Sequence, residues 1–373
     1  MRILVYGAGV MGSLYAAWLQ EAGHEVTLVA RGERRKDLEK HGILLENMAT
    51  YQFTITKVAV IEQVEADAAY DLAIVVLRKN QVSSVLPVLA EARNIPDVLF
   101  LGNNAAGPDE YVDALGAERV LMGFGNAAGY LEGKVVHYIC GRGTGKAAIT
   151  LGELDGQMTP RLQRIGDAFE SAGFEVAFSD NIDAWLKTHA AIISPIANAL
   201  YLAGGDNYRL ANTRDGLLLA VCAIREGFKV LRALDVPVTP ASLRALEWVP
   251  EPVLVAWAKR LFDSKWARIA VARHVNDARD EMKQLADEFW ALARATAVPT
   301  PAIDRLYQYV DPNTPTVPEG SAAIPLDYRG VWAAITLAAG VIVGGMMLRR
   351  RMTRRRQLTA GEQERHRHRG GDA

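Results

Sequence analysis

The sequence predicts an α/β domain built on a parallel sheet, followed by an all-helical domain, and three observations carry that expectation. Apolar runs rich in β-branched residues alternate with helically spaced segments through residues 1–180, long helical patterns replace them from residue 181, and a glycine-rich turn follows the first strand. At 373 residues the chain is long enough for two domains with separate cores.

The first unit sets the rest. Arg2-Ile-Leu-Val-Tyr6 has the pattern of a fully buried strand and breaks at once into Gly7-Ala-Gly9-Val-Met-Gly12. Ser13 to Ala22 has helical spacing, Gly23 ends that helix, and Glu25 to Ala30 reads as a second strand. In such a unit the first glycine permits a tight turn, the second lets backbone approach a pyrophosphate, and the third allows close packing of helix on strand. The helix start offers free N–H groups and the positive end of its dipole to phosphate. A Rossmann dinucleotide-binding domain is therefore predicted, with Gly7, Gly9, Val10, Met11 and Gly12 at the cofactor. NAD sites place a carboxylate at the tip of the second strand, whereas arginine there suits the 2′-phosphate of NADP. Arg31 holds that position, so NADP (NADPH) is the expected cofactor, and Glu33 keeps NAD as the lesser choice.

Past Arg31, Lys36 to Gly42 continues a short helix, and Gly42 to Leu45 with Tyr51 to Val60 alternates well enough for a hairpin. Tyr70 to Leu77 is a buried strand that exits into Arg78-Lys79-Asn80-Gln81, and Val98 to Leu101 exits into Gly102-Asn103-Asn104. Ligands of open parallel sheets sit at the carboxyl ends of strands, so both exits point to one crevice. Leu121–Gly125, Gly133–Cys140 and Lys146–Leu151 suggest further strands, with a turn over 141–145; Pro160–Ala172 reads as a helix, and Phe174–Phe178 closes the sheet. Helices are then predicted over 183–202, 213–234, 240–246, 253–262 and 266–296.

Composition narrows the class. The net charge is −1, so no overall basic excess argues for nucleic acid, and the two cysteines lack metal-like spacing, which fits a reduced compartment without disulfides. With strand residues beginning at Arg2, no room is left for a signal peptide, and a cytoplasm-facing catalytic domain is expected. The run 331–348 is uncharged, apolar and about long enough to span a bilayer, and an arginine-rich tail, 349–373, follows it. It reads as a C-terminal transmembrane anchor after a Pro- and Gly-containing linker over 311–330, making the protein membrane-associated.

The opening glycine unit ending at Arg31, Leu77-Arg-Lys-Asn-Gln81, Gly102-Asn103-Asn104, Gly152-Glu-Leu154 and Ala184-Trp185-Leu-Lys187 together resemble the ketopantoate reductase family over residues 1–308. That family reduces 2-dehydropantoate to pantoate with NADPH in pantothenate biosynthesis. The resemblance implies a helical second domain of the 6-phosphogluconate dehydrogenase C-terminal-like type over 181–310, with a possible homodimer. It also implies Lys187 as general acid, Glu281 as the ligand of substrate hydroxyls, and Asn103 beside nicotinamide and substrate; Arg78 and Gln81 join the cofactor set. No metal is implied.

Departures from the family bear on the substrate. Its asparagines four and eight residues after the lysine are Ala191 and Pro195 in this chain. Pro195 is expected to kink its helix. Ser194 returns nearly to the face of Lys187 and is the expected stand-in, whereas His189 points away from that face. The sequence thus predicts an NADPH-dependent reductase of a 2-oxo acid, with 2-dehydropantoate as the leading substrate and a more apolar acid as its competitor. The rivals are a non-catalytic, membrane-tethered NADP-binding sensor and a dehydrogenase working in the oxidative direction.

Overall fold

A computed structural model describes residues 1–140, 148–328 and 330. The expected turn over 141–145, the apolar run 331–348 and the tail 349–373 lie outside the described residues.

Strand β1 (Arg2–Tyr6) lies inside the sheet, paired in parallel with β2 (Glu25–Val29) on one side and β6 (Leu72–Val75) on the other. Its side chains alternate between two cores. Ile3 and Val5 pack with Leu14 and Tyr15 of α1 (Val10–Glu21), and Leu4 and Tyr6 pack with Val75, Val82 and Leu86 on the other face. Burial on both faces is why these strands read as continuous apolar runs. Next to β2 lies α2 (Gly32–His41), and β3 (Ile43–Asn47) and β4 (Phe53–Thr56) form the predicted antiparallel hairpin. The end of the predicted second strand separates as β5 (Ala59–Ile61) and pairs in parallel with β2.

Past β6, α3 (Lys79–Val82) and α4 (Leu86–Glu91) lead to β7 (Val98–Leu101), and α5 (Asp109–Leu115) leads to β8 (Val120–Glu132). The thirteen-residue β8 serves two parts of the sheet. Its first half pairs with β7 and, antiparallel, with β10 (Ala148–Glu153); its second half pairs with β9 (Val135–Cys140), which continues to β3. Helix α6 (Pro160–Ser171) leads to β11 (Glu175–Phe178), which pairs with β10 at the far edge.

The helical domain begins with α7 (Ile182–Leu202), followed by α8 (Asn207–Asn212), α9 (Arg214–Ala233), a 3₁₀ turn over Ala241–Glu247 and α10 (Glu251–Phe262). Pro195 lies inside α7, which continues beyond it to Leu202. The single long helix expected over 266–296 is instead broken. Short α11 (Lys265–Ala267) passes into a π-helical stretch, Arg268–Arg273, then α12 (His274–Asp277), and Ala278 separates these from α13 (Arg279–Arg294). Helix α14 (Pro301–Tyr307) closes the bundle.

Two expectations about the C-terminal region change. Residues over 311–327 are docked on the helical domain, with Val317 N–H donating to Leu202 O and Asp327 N–H to Glu251 Oε2. The expectation of a transmembrane helix and a membrane-associated protein finds no support in the structure: among the described residues no helix is long and apolar enough to cross a membrane, and the run 331–348 lies outside them. The two longest, α7 and α9, direct their apolar residues into the domain core, including Leu200, Leu218 and Phe228.

Candidate active site

A cleft of about 790 Å³ runs from the glycine turn after β1, along β8, to the helical domain. It lies at the carboxyl ends of the parallel strands, where open α/β sheets bind ligands.

At its dinucleotide end each glycine has a separate reason. Gly7 adopts φ +121°, and a Cβ on it would lie 2.4 Å from Val76 O. A Cβ on Gly12 would lie 1.8 Å from Gly7 O, so strand exit and helix start touch through these two residues. Gly9 meets nothing within 4 Å and leaves space in the cleft where a pyrophosphate would rest. Helix α1 begins at Val10 with no side-chain cap, so its first N–H groups stay available to an anion.

The end of β2 surrounds this turn with cations. Arg31 donates to Tyr6 Oη at 3.3 Å. Arg34 donates to Ala8 O at 3.2 Å, Ser13 Oγ at 3.0 Å and Lys134 O at 3.2 Å, placing its guanidinium against the glycine turn itself. Glu33 pairs with Lys36 of its own helix at 2.6 Å, and Glu62, beside the strand tip, pairs with Arg35 at 2.5 Å. Arg34 is a residue the sequence reading missed. It stands among three arginines in five positions, and which of them turns back onto the glycine loop depends on the orientation of α2.

The opposite end joins the two domains. Asn103, in the loop after β7, donates from Nδ2 to Glu281 Oε1 at 2.9 Å, and the residues are 8% and 6% exposed. Asn103 Oδ1 is buried without a hydrogen-bond partner among the described residues, an acceptor left for a ligand. Glu281 sits in the first turn of α13, where the helix dipole favours a carboxylate. Around this pair, Arg78 binds Asp280 at 2.8 Å and Asp277 O at 2.7 Å, and Ala105 N–H and Ala106 N–H donate to Glu288.

The expected site residues divide into two sets. Gly9, Val10, Met11, Gly12, Arg78, Asn103 and Glu281 line the cleft together. Gly7 shapes the turn, Arg31 stands at the start of α2, and Gln81 is exposed on α3. Lys187 forms an ion pair with Asp183, one turn earlier in α7, and its Nζ lies 3.4 Å from where a Cβ on Gly107 would be; it is not among the cleft-lining residues. Ser194 is buried and likewise does not line the cleft. From α7 the cleft is lined instead by His189 and Ile193, with Phe124, Gly125 and Tyr130 of β8 and Trp266 and Val271 beyond them. Close packing explains the glycines of β8, since a Cβ on Gly125 would lie 1.7 Å from the Tyr15 hydroxyl oxygen.

Comparison with known proteins bears on the fold and the family. Residues 3–156 match the model of the family described as ketopantoate reductase PanE/ApbA. The 2-dehydropantoate 2-reductase of Pyrococcus horikoshii is 25% identical over 236 residues, 62% of this chain and 73% of that one. Among solved structures, D-mandelate dehydrogenase with NADH and anilino(oxo)acetate is 20% identical, with a TM-score of 0.68 over 83% of this chain and 97% of that one. A 2-dehydropantoate 2-reductase from Geobacter metallireducens is 17% identical, with a TM-score of 0.69 over 84% of this chain and all of that one. At these identities the two structures establish the shared fold. The family match thus covers the N-terminal part of the chain, and the two solved structures share its two-domain fold.

Proposed function

We propose that the protein is an NADPH-dependent reductase of a 2-oxo acid, with 2-dehydropantoate as the leading substrate. The observation that carries this is the buried Asn103–Glu281 pair, which closes the far end of a cleft that begins at the glycine turn. Bound NADPH supplies a hydride to the carbonyl carbon. The chain's own groups would hold the two reactants in register: the α1 start and Arg34 would take the phosphates, Asn103 the side facing nicotinamide and substrate, and Glu281 the substrate's polar end. Arg31 and Arg34 beside the β2 tip, with Glu33 engaged by Lys36, favour the 2′-phosphate of NADP over a bare ribose.

A second substrate follows from the walls. Phe124, Ile193, Trp266 and Val271 give the cleft an apolar side where hydroxyl-bearing substrates find few partners, and a polar group left unpaired in a buried site is heavily penalised. A 2-oxo acid with a branched or aromatic side chain suits this surface. NADPH oxidation with 2-dehydropantoate, 2-oxoisovalerate and phenylglyoxylate separates the readings. Preference for 2-dehydropantoate supports the pantoate reaction, preference for the other two supports the apolar acid, and NADPH binding without any turnover supports the non-catalytic sensor. A homodimer formed through the helical domain is part of this reading, checked by sedimentation of the purified protein.

A further inference from the structure

Helix α7 presents different chemistry on its two sides. His189 and Ile193 are four residues apart and line the cleft from one face. Lys187, roughly 200° around the helix from His189, is held by Asp183 beside Gly107. The imidazole of His189 stacks on Trp185, with centroids 5.6 Å apart and planes 7° from parallel, and lies 4.2 Å from the ring of Phe124. Among the described residues neither ring nitrogen has a hydrogen-bond partner. Stacking thus fixes the ring while its polar atoms remain available to whatever enters the cleft.

We propose that His189 is the α7 side chain that meets the carbonyl oxygen of the bound 2-oxo acid, the part that the family resemblance gives to Lys187. This rests on the reductase reading above. The titratable groups sharing the cleft are His274 and Asp277 of α12, Glu281 of α13, Arg78 after β6, Tyr15 of α1 and Tyr130 of β8. Burial, with a smaller contribution from His274, pushes the His189 imidazole down to about 4, so it is neutral at pH 7 without substrate. A substrate carboxylate brings the opposite charge and favours the imidazolium, so binding of the acid is accompanied by proton uptake that grows as the pH falls. In the reduction, the hydride that bound NADPH would give up forms the new C–H bond at the carbonyl carbon, and the π pair moves to oxygen. The imidazolium N–H breaks as the O–H forms, leaving a 2-hydroxy acid, NADP⁺ and neutral His189.

The test compares the full-length protein with His189→Phe, which keeps an aromatic ring in the stack, His189→Gln, which restores a donor, and Lys187→Met. NADPH binding is read by fluorescence, kcat and KM for the three acids across neutral pH, and proton uptake by calorimetry of the acid binding in two buffers. His189→Phe is expected to bind NADPH normally and lose at least about 100-fold in kcat, with partial recovery in His189→Gln. Lys187→Met is expected to lose less, under about tenfold. Wild-type KM should rise with pH, and that dependence and the proton uptake should vanish in His189→Phe. If His189→Phe does not bind NADPH, His189→Leu is read in its place. Retained turnover in His189→Phe with loss in Lys187→Met overturns the proposal alone. A wild type that binds NADPH but reduces none of the acids overturns the reductase reading and the proposal together.

Discussion

Two residues decide what the site can hold. Asn103 and Glu281 lie 178 positions apart and meet through one buried hydrogen bond. Asn103→Ala removes the donor and leaves a buried carboxylate short of a partner, which costs about 1–3 kcal/mol. The expected result is a lower melting temperature with a loss of about 10–100-fold in kcat/KM, measured by thermal unfolding and steady-state kinetics; unchanged kinetics would remove Asn103 from the site. His189 gives a second prediction. Its imidazole is depressed below the ordinary 6.5, so the unfolded chain binds the extra proton first as pH falls. Its contribution to stability is complete above about 6.5 and is lost as pH falls from there toward about 4. Melting temperature should fall over that window, and His189→Phe should flatten the fall. Asn103 and Glu281 were legible through the motif around each. His189 was not, because helical spacing separates the faces of α7 without saying which one meets the sheet. The loop after β7 covers the Lys187 face, and no local pattern in α7 records that.

At the scale of elements, the β1–α1–β2 unit was readable because each glycine answers a steric demand set within a few residues. Gly12 is the clearest, with Gly7 O where its Cβ would go. The break in the predicted 266–296 helix was not readable, since Arg268–Arg273 and Ala278 carry neither proline nor glycine. The break nevertheless matters to the site. By starting a new helix at Arg279 it puts Asp280 and Glu281 in a first turn, where their charges are favoured, and Asp280 receives Arg78 and Asn80 from the sheet side. The β2–α2 junction carries the cofactor prediction. Arg34→Ala removes a guanidinium that binds Ala8 O and Ser13 Oγ beside the glycine turn. NADPH affinity is expected to fall by about tenfold or more, and NADH affinity by much less, on the reasoning that arginine there serves the 2′-phosphate. Equal losses for both cofactors, measured by fluorescence titration, would assign Arg34 to loop structure alone.

Over the whole molecule, the two domains are joined by the same loops that form the cleft, and the helical domain depends in turn on the chain that follows it. Asp215, at the start of α9, accepts hydrogen bonds from Ser321 Oγ, Ala323 N–H and Ile324 N–H, and Arg214 donates to Ile324 O. Burial pulls the Asp215 carboxyl upward, but these donors and Arg214 outweigh it and hold the group below its ordinary value. Its stabilising contribution is therefore present above about pH 4 and disappears as pH falls through the lowered value. The sequence reading took 311–330 as a linker because its prolines and glycines mark turns; turn chemistry says where a chain bends and nothing of what it lies against. The docking predicts a sharp boundary. A chain ending at Tyr328 keeps every contact to Asp215 and Glu251 among the described residues, so it should fold, melt at the full-length temperature and bind NADPH unchanged. A chain ending at Val310 loses the three donors to Asp215 and the packing of Val317, Ile324 and Leu326 on the helical core, a loss of about 3 kcal/mol or more, and should melt several degrees lower. Asp215→Ala in the longer chain should reproduce part of that drop. Equal melting of the two truncated chains would instead make the 311–328 segment a passive tether, with the helical domain stable on its own core.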